Sequence, residues 1–377
     1  MNPRVRAAAK NLALFAVSLF LVFVAIEVVL RTTHLFNARL SFTQPDRLIA
    51  WSFTPGREYW AAYENDHPIV GRINSHGWLD RERAMEKPDG VFRVAVLGDS
   101  FVEAMQVELD STFLAIAERK LGRKGARVEL LNFGRSDATT TEEILILERD
   151  ANRFDPDLVV LCFWPRNDID DVNPATATNP LRPYVKLMDD GKLELDASFT
   201  ETAEFKRKLY INPFKQRSAL ISLLAVRYNV WKRARRWQAL GAVSDTLSIR
   251  EELTLCTATP DPVFAANYAL CKRIAEEIED ICQRRDAGFL FVCLADVYDP
   301  ARAAEFRALD STFNEDFFDE DLSQWAASRG IDYLGMQRPF RERLAATGEE
   351  LHWAHWNYAG HRLAARVLAE AIDGYVE

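Results

Sequence analysis

The apolar run Val94–Leu97 ends abruptly at Gly98-Asp99-Ser100, and four further runs of the same kind follow it: Arg127–Phe133, Asp157–Phe163, Phe289–Leu294 and Ile331–Leu334. Short apolar runs bounded by turn residues and separated by stretches of helical period read as buried parallel strands joined by crossover helices. Five of them predict a doubly wound α/β sheet in three layers, and this constrains the chain more than any other feature. In such a sheet ligands collect beyond the carboxyl ends of the strands, so Ser100 is delivered to the crevice with its hydroxyl available. Taken alone, Gly-Asp-Ser is more often a polar turn than a nucleophile, and the other stretches have to decide.

The intervening segments carry helix signals. Asp110–Leu121 has Asp110 or Ser111 as its cap, and Thr140 with Glu143 gives capping-box spacing for a helix running to about Phe154. Further helices are expected over Val263–Arg285, Asp319–Ser328 (stopped by Gly330) and Tyr358–Ile372. Residues from about 40 to 90 are aromatic-rich, with turn-forming Gly71–Trp78, and read as a small β extension. After Asp171 the alternation breaks. Residues 172–255 read as an inserted lid or cap, opening with a hairpin over Tyr184–Leu195 whose turn holds Asp190-Gly191. Within it, Lys206–Arg236 carries ten Lys or Arg and no Asp or Glu, interleaved with residues such as Leu224, Tyr228 and Trp231. A helix of that composition suits an anionic membrane surface, a site for an acidic substrate, or a lid with a solvated basic face.

At the amino terminus, Arg4, Arg6 and Lys10 precede an apolar run, Leu12–Leu30, broken only by Ser18 and Glu27. As a helix it would be about 30 Å long, enough to span a bilayer. It is longer than a signal-peptide core, and no small-x-small cleavage site follows in Arg31–Phe36, so residues 1–31 are expected to be an uncleaved anchor. The basic bias places the amino terminus inside and residues 40–377 outside the cytoplasm, with Glu27 near the interface. A net charge of −9 does not suggest a nucleic-acid binder. Cys162 and Cys293 fall in strand runs and read as buried thiols, while Cys256 and Cys271 could pair in an oxidising compartment. No Cys/His spacing suggests a metal site.

Four stretches carry chemistry: Gly98-Asp99-Ser100, Asn132-Phe133-Gly134 at the end of the second strand, Asn167-Asp168 after the third, and His355-Trp356-Asn357 before the last helix. By the topology rule they converge on one crevice. They suffice for acyl transfer, with Ser100 to attack, His355 to take its proton, and an oxyanion hole from the Ser100 and Gly134 backbone N–H groups and the Asn167 side chain. Each residue singly has a structural explanation as loop, cap or core. In this order, however, the stretches resemble the blocks of the SGNH (GDSL-type) hydrolases over residues 70–377. The chain is most similar to membrane-anchored bacterial members, through Arg72–Gly77 and the His355–His361 ending. That resemblance implies a flavodoxin-like sandwich, esterase or O-acyltransferase chemistry and no metal or organic cofactor; with the anchor, the chain is expected to be a single-pass inner-membrane protein whose catalytic domain faces outward.

Two positions depart from the family pattern. Pro165-Arg166 stands where a glycine usually precedes the third-block Asn, and the aspartate expected two or three residues before His355 is replaced by His352 and Trp353. A backbone carbonyl or Glu350 is therefore expected to orient His355. The leading expectation is an esterase or O-acyltransferase acting on acyl groups, most readily acetyl, of a surface glycan, with glycan-export machinery as a partner. Two alternatives stand beside it: a lipid-directed esterase of the lysophospholipase or thioesterase type, and a glycan-binding assembly protein that has lost the acid.

Overall fold

The computed structural model describes residues 3–61, 64–123, 125, 127–240, 256–295 and 300–376. In chain order, helix α1 (Pro3–Thr33) is followed by strands β1 (Thr43–Asp46), β2 (Ala50–Phe53), β3 (Glu58–Ala61), β4 (Ile69–Arg72) and β5 (Phe92–Gly98). Next come α2 (Ser100–Glu103), α3 (Phe113–Arg123), β6 (Val128–Gly134), α4 (Thr140–Arg149), β7 (Leu158–Phe163) and α5 (Pro165–Asp171). The hairpin β8 (Tyr184–Leu187) and β9 (Leu193–Asp196) leads to α6 (Ala203–Lys215) and α7 (Ala219–Leu240). The chain closes with α8 (Pro262–Gln283), β10 (Gly288–Cys293), α9 (Pro300–Leu309), α10 (Phe317–Arg329), β11 (Asp332–Gly335), α11 (Gln337–Thr347) and α12 (Tyr358–Val376).

These elements form two compact units, Met1–Pro45 with Thr202–Asp245, and Asp46–Glu201 with Thr246–Glu377. The second holds a five-stranded sheet in the order β11-β10-β7-β5-β6, parallel throughout. All five apolar runs are its strands, so the doubly wound α/β reading holds. Alternation along each strand sends side chains to opposite faces. Val94 and Val96 pack with Phe113 and Leu121 of α3 and Leu363 and Leu368 of α12, whereas Ala95 and Leu97 pack with Ile146 of α4 and Ile274 and Ile278 of α8. Because β6 lies on one side of β5 and β7 on the other, the strand order reverses at β5, and the crevice opens at its carboxyl end.

Several local expectations shift. The capping box is Thr139 with Glu142, one residue earlier than anticipated, and a 3-10 turn over Ala151–Phe154 replaces the last part of the expected helix. Both Thr139/Glu142 and Thr140/Glu143 satisfy the spacing, and the register that buries Ile144–Leu147 decides between them. The β extension is built from short strands, with β3 and β4 antiparallel. The insertion is not one piece: the β8–β9 hairpin belongs to the sheet unit, whereas Thr202–Asp245 clusters with the N-terminal helix. Cys256 and Cys271 are both buried and free rather than paired. Cys271 lies within α8, where its Sγ–H donates to Asp168 O at 3.4 Å.

In the other unit, α1 is a helix of 31 residues with a mean hydropathy of 2.8 over its most apolar window, long and apolar enough to cross a membrane. Only Leu30 of α1 is buried, packed with Ala38 and Ala219 against Leu40, Leu220 and Leu223.

Candidate active site

The sharp end of β5 sets the nucleophile. Asp99 caps α2 by accepting the Phe101 N–H at 2.9 Å, which leaves Ser100 as the first helical residue past the strand. Ser100 Oγ lies 2.8 Å from His355 Nε2. On the other side of the ring, His355 Nδ1 is 2.6 Å from Glu64 Oε1, and Glu64 Oε2 accepts the His355 backbone N–H at 2.8 Å. Hydroxyl, imidazole and carboxylate stand in line, each within hydrogen-bond reach of the next, which is the geometry of a nucleophile, a general base and the group that orients it.

Glu64 corrects the expectation that a carbonyl or Glu350 would hold the imidazole. The Glu350 carbonyl instead accepts Asn357 Nδ2 at 2.7 Å, so this backbone is committed elsewhere. His352, at the family's acid position, has its Nε2 3.5 Å from Ala295 O and its ring packed on Phe340, while Glu64 takes His355 Nδ1. Burial alone would raise the Glu64 carboxyl, but the bonds from the His355 side chain and backbone outweigh it and hold it below the ordinary carboxylate range. Glu64 is therefore ionised at neutral pH. It sits in the β3–β4 connection, 36 residues before Ser100, and neighbouring contacts fix that loop. Asn65 Nδ2 donates to Gln106 O at 3.3 Å and to Tyr358 Oη at 2.9 Å, and Tyr358 Oη–H donates to Glu108 at 2.7 Å.

The histidine loop is held from behind. Trp356 is fully buried among Phe101, Phe113 and Phe340, and its Nε1–H donates to Ala295 O at 3.2 Å. Asn357 Oδ1 accepts the Ala359 and Gly360 N–H groups, starting α12 one residue later. Gly360 is needed for close approach, since a Cβ there would stand 2.2 Å from Leu351 O. His361 is buried and accepts the Phe113 N–H at Nδ1 across 3.1 Å, and burial pushes its pKa down to about 3. It is a neutral structural histidine, leaving His355 as the imidazole of the site.

The oxyanion donors need one revision. Gly134 N–H donates to Asn132 Oδ1 at 2.8 Å, so its hydrogen is already taken. The glycine is there for packing: a Cβ would lie 2.3 Å from Glu103 N and 2.5 Å from Val102 C, in the backbone of the nucleophile helix. Asn132 reinforces that contact by donating to Val102 O at 3.0 Å. Asn167 stands at the start of α5 with Nδ2 donating to Ala138 O at 3.0 Å, while its buried Oδ1 has no partner. The amide thus keeps a second Nδ2 hydrogen. Asp168, in contrast, is a structural cap that accepts the Thr140 and Trp164 N–H groups at 3.1 and 2.7 Å.

Behind the nucleophile lies a set of buried acids that sequence reasoning did not anticipate. Asp99, Glu103, Glu143 and Asp168 are each at most 2 % exposed. Burial pushes Asp99 up to about 6 and Glu103 up to about 8. Burial together with the neighbouring Asp168 and Asp99 raises Glu143 well above the carboxylate range, and neither of its oxygens has a partner. Glu103 accepts from both the N–H and the hydroxyl of Ser136, tying α2 to the loop after β6. An acid whose folded pKa is raised favours the fold most while protonated. Its contribution is therefore full below the unfolded value of 4.5 and is lost as pH rises through about 8. Thermal melts between those limits are expected to fall with pH, and Glu103→Gln should flatten that slope; an unchanged slope would contradict the assignment.

Among the described residues, no group of three or more His, Cys, Asp or Glu is arranged to hold a metal ion. No family model matches the sequence, and no curated protein does. Solved structures do resemble it. The acetylxylan esterase Axe2 from Geobacillus stearothermophilus is 13 % identical over 74 % of this chain and 94 % of its own, with a TM-score of 0.39. A lipase/acylhydrolase from Enterococcus faecalis is 11 % identical over 76 % and 97 %, with a TM-score of 0.37. A lipolytic protein assigned to the G-D-S-L family from Desulfitobacterium hafniense is 11 % identical over 74 % and 98 %, with a TM-score of 0.35. GDSL-type hydrolases are among the structures similar to this chain. At these identities and scores the chemistry has to be argued from the site itself.

Proposed function

We propose that the protein is a membrane-anchored serine esterase or O-acyltransferase acting on ester-linked acyl groups, most readily acetyl, of a surface glycan. The observation that carries the chemistry is the line Glu64–His355–Ser100, with separations of 2.6 and 2.8 Å. Ser100 Oγ attacks the ester carbonyl while His355 Nε2 takes its proton. Glu64 holds the Nδ1–H and offsets the charge of the imidazolium. The developing oxyanion is met by the Ser100 N–H and the Asn167 amide. Return of the proton from Nε2 to the alkoxide releases the alcohol and leaves an acyl group on Ser100. His355 then deprotonates water, or a sugar hydroxyl, to end the cycle. The idea of a non-catalytic binding protein rested on a missing acid, and Glu64 fills that role.

The glycan target is supported by the resemblance of Arg72–Gly77 and His355–His361 to membrane-anchored bacterial members, and the acetyl group by the acetylxylan esterases among the similar structures. The length and apolar character of α1 and the basic residues before it support an outward-facing inner-membrane placement. A lipid-directed esterase is the second reading, favoured by the aromatic and basic side chains of α7. Purified full-length protein assayed side by side on acetylated oligosaccharides and on lysophospholipids separates the two. The proposal expects acetate release from the former, stimulated or diverted by a sugar acceptor; turnover of lysophospholipid alone would overturn the glycan assignment.

A further inference from the structure

Resting on the reading of α1 as a membrane anchor, we infer that α7 is an interfacial helix, clamped to the end of that anchor and lying on an anionic bilayer surface. Five apolar side chains of α7, Leu224, Val226, Tyr228, Val230 and Trp231, are 49–59 % exposed. Leu224, Tyr228, Trp231 and Arg235 recur at the spacing of one helical stripe, whereas Val226 and Val230 lie on the far side of the helix. Beside the stripe, Lys232 Nζ reaches Glu204 of α6 at 2.7 Å. A helix surrounded by water gains nothing from presenting Leu224, Tyr228 and Trp231 together. One lying at a headgroup boundary buries that stripe.

The starting depth of α7 is set by Glu27, the one acidic residue in the apolar run of α1. Its carboxylate accepts Ser218 Oγ–H at 2.8 Å, Ala219 N–H at 2.8 Å and Leu220 N–H at 3.1 Å, capping α7 from outside. The cap puts a negative charge at the positive end of the helix and satisfies N–H groups that would otherwise be orphaned. Arg31 Nε also donates to Glu27 at 2.6 Å, and Arg31 reaches the Arg217 carbonyl. If α1 spans the bilayer, its last turns lie at the interface, and α7 starts at the same depth. From there the chain is strongly basic, with ten Lys or Arg and no acid over Lys206–Arg236. The Arg235 guanidinium covers the Trp231 ring at 4.3 Å, and Tyr228 packs beside it. Aromatic rings at headgroup level, with arginines reaching outward to phosphates, match an anionic surface in both polarity and charge.

The test uses full-length protein reconstituted into vesicles of phosphatidylcholine, with or without phosphatidylglycerol. Nitroxide labels are placed at Leu224→Cys and Tyr228→Cys, at Phe20→Cys within α1, and at Lys192→Cys on the exposed β8–β9 turn, with wild type as the background for the native cysteines. The inference expects labels at 224 and 228 to become several-fold less accessible to a water-soluble nickel chelate and more accessible to oxygen when phosphatidylglycerol is present. Lys192 should stay accessible to the chelate, and Arg227→Glu combined with Arg235→Glu should reverse the protection. Water-exposed labels at 224 and 228, with the Phe20 label in lipid, overturn the interfacial helix and leave the anchor standing. A Phe20 label in water removes the anchor and the inference with it. Equal protection without phosphatidylglycerol overturns the anionic surface.

Discussion

Glu64→Gln is expected to lower turnover by about 10⁴, comparable to removing the carboxylate from other serine triads. The glutamine keeps the shape of the contact but replaces the charge and offers a different hydrogen-bond pattern to His355 Nδ1, so the imidazole is no longer fixed in the tautomer that leaves Nε2 free to accept the Ser100 proton. Steady-state kinetics should show the loss mainly in kcat, with substrate binding nearly unchanged. Two comparisons frame the result. His355→Ala should abolish activity. His352→Ala should cost little, because that ring packs on Phe340 rather than holding His355 Nδ1, which Glu64 occupies. Should the His352 variant be as damaging as the Glu64 variant while still folded, the acid has been misassigned.

Gly134→Ala should destabilise the sheet unit by about 3 kcal/mol, the upper part of the usual range for overpacking. The added methyl would meet the backbone at Glu103 N and Val102 C, atoms that cannot rotate away as a side-chain tip can. Relief requires moving α2, and Ser100 moves with it, so activity should fall along with the melting temperature. Calorimetry and kinetics on the same variant check both consequences. Alanine retains its N–H, so a residue acting only as an oxyanion donor would tolerate the change; an unshifted melting temperature would contradict the packing role.

The sheet was legible because its residues announce themselves locally. Phe92–Leu97, Leu158–Phe163 and Gly288–Cys293 are buried strands whose apolar runs leave few other conformations open. Ser100 and His355 were legible because strand ends and helix starts are marked by turn residues, and topology brings such points together. Glu64 was not. It lies in a connection between two four-residue strands, and its distance from Ser100 and His355 in sequence reflects no periodicity. The available signal was negative: an imidazole without an acid at positions 352 and 353 requires one from elsewhere. Gly134 shows the opposite difficulty, a residue correctly placed next to the nucleophile but given a chemical role where a steric one applies. The buried acids Glu143 and Asp168 escaped because spacing alone suggests solvated helix faces. Only the three-layer packing encloses them.

The insertion divided for a similar reason. Its hairpin was readable from the Asp190-Gly191 turn, but nothing in the local sequence signals that the helices after it cluster with α1. That grouping lies in the long-range contact between Glu27 and Ser218–Leu220.

The central claim is that Ser100 is a nucleophile activated through His355 by Glu64. It is tested most directly by reacting the full-length protein with a fluorophosphonate probe and locating the adduct by peptide mass mapping. The account predicts one adduct, on Ser100, absent in Ser100→Ala and formed far more slowly in Glu64→Gln, with both variants melting like the wild type. An adduct on another residue, or labelling of Ser100 at the same rate with and without the Glu64 carboxylate, would contradict it.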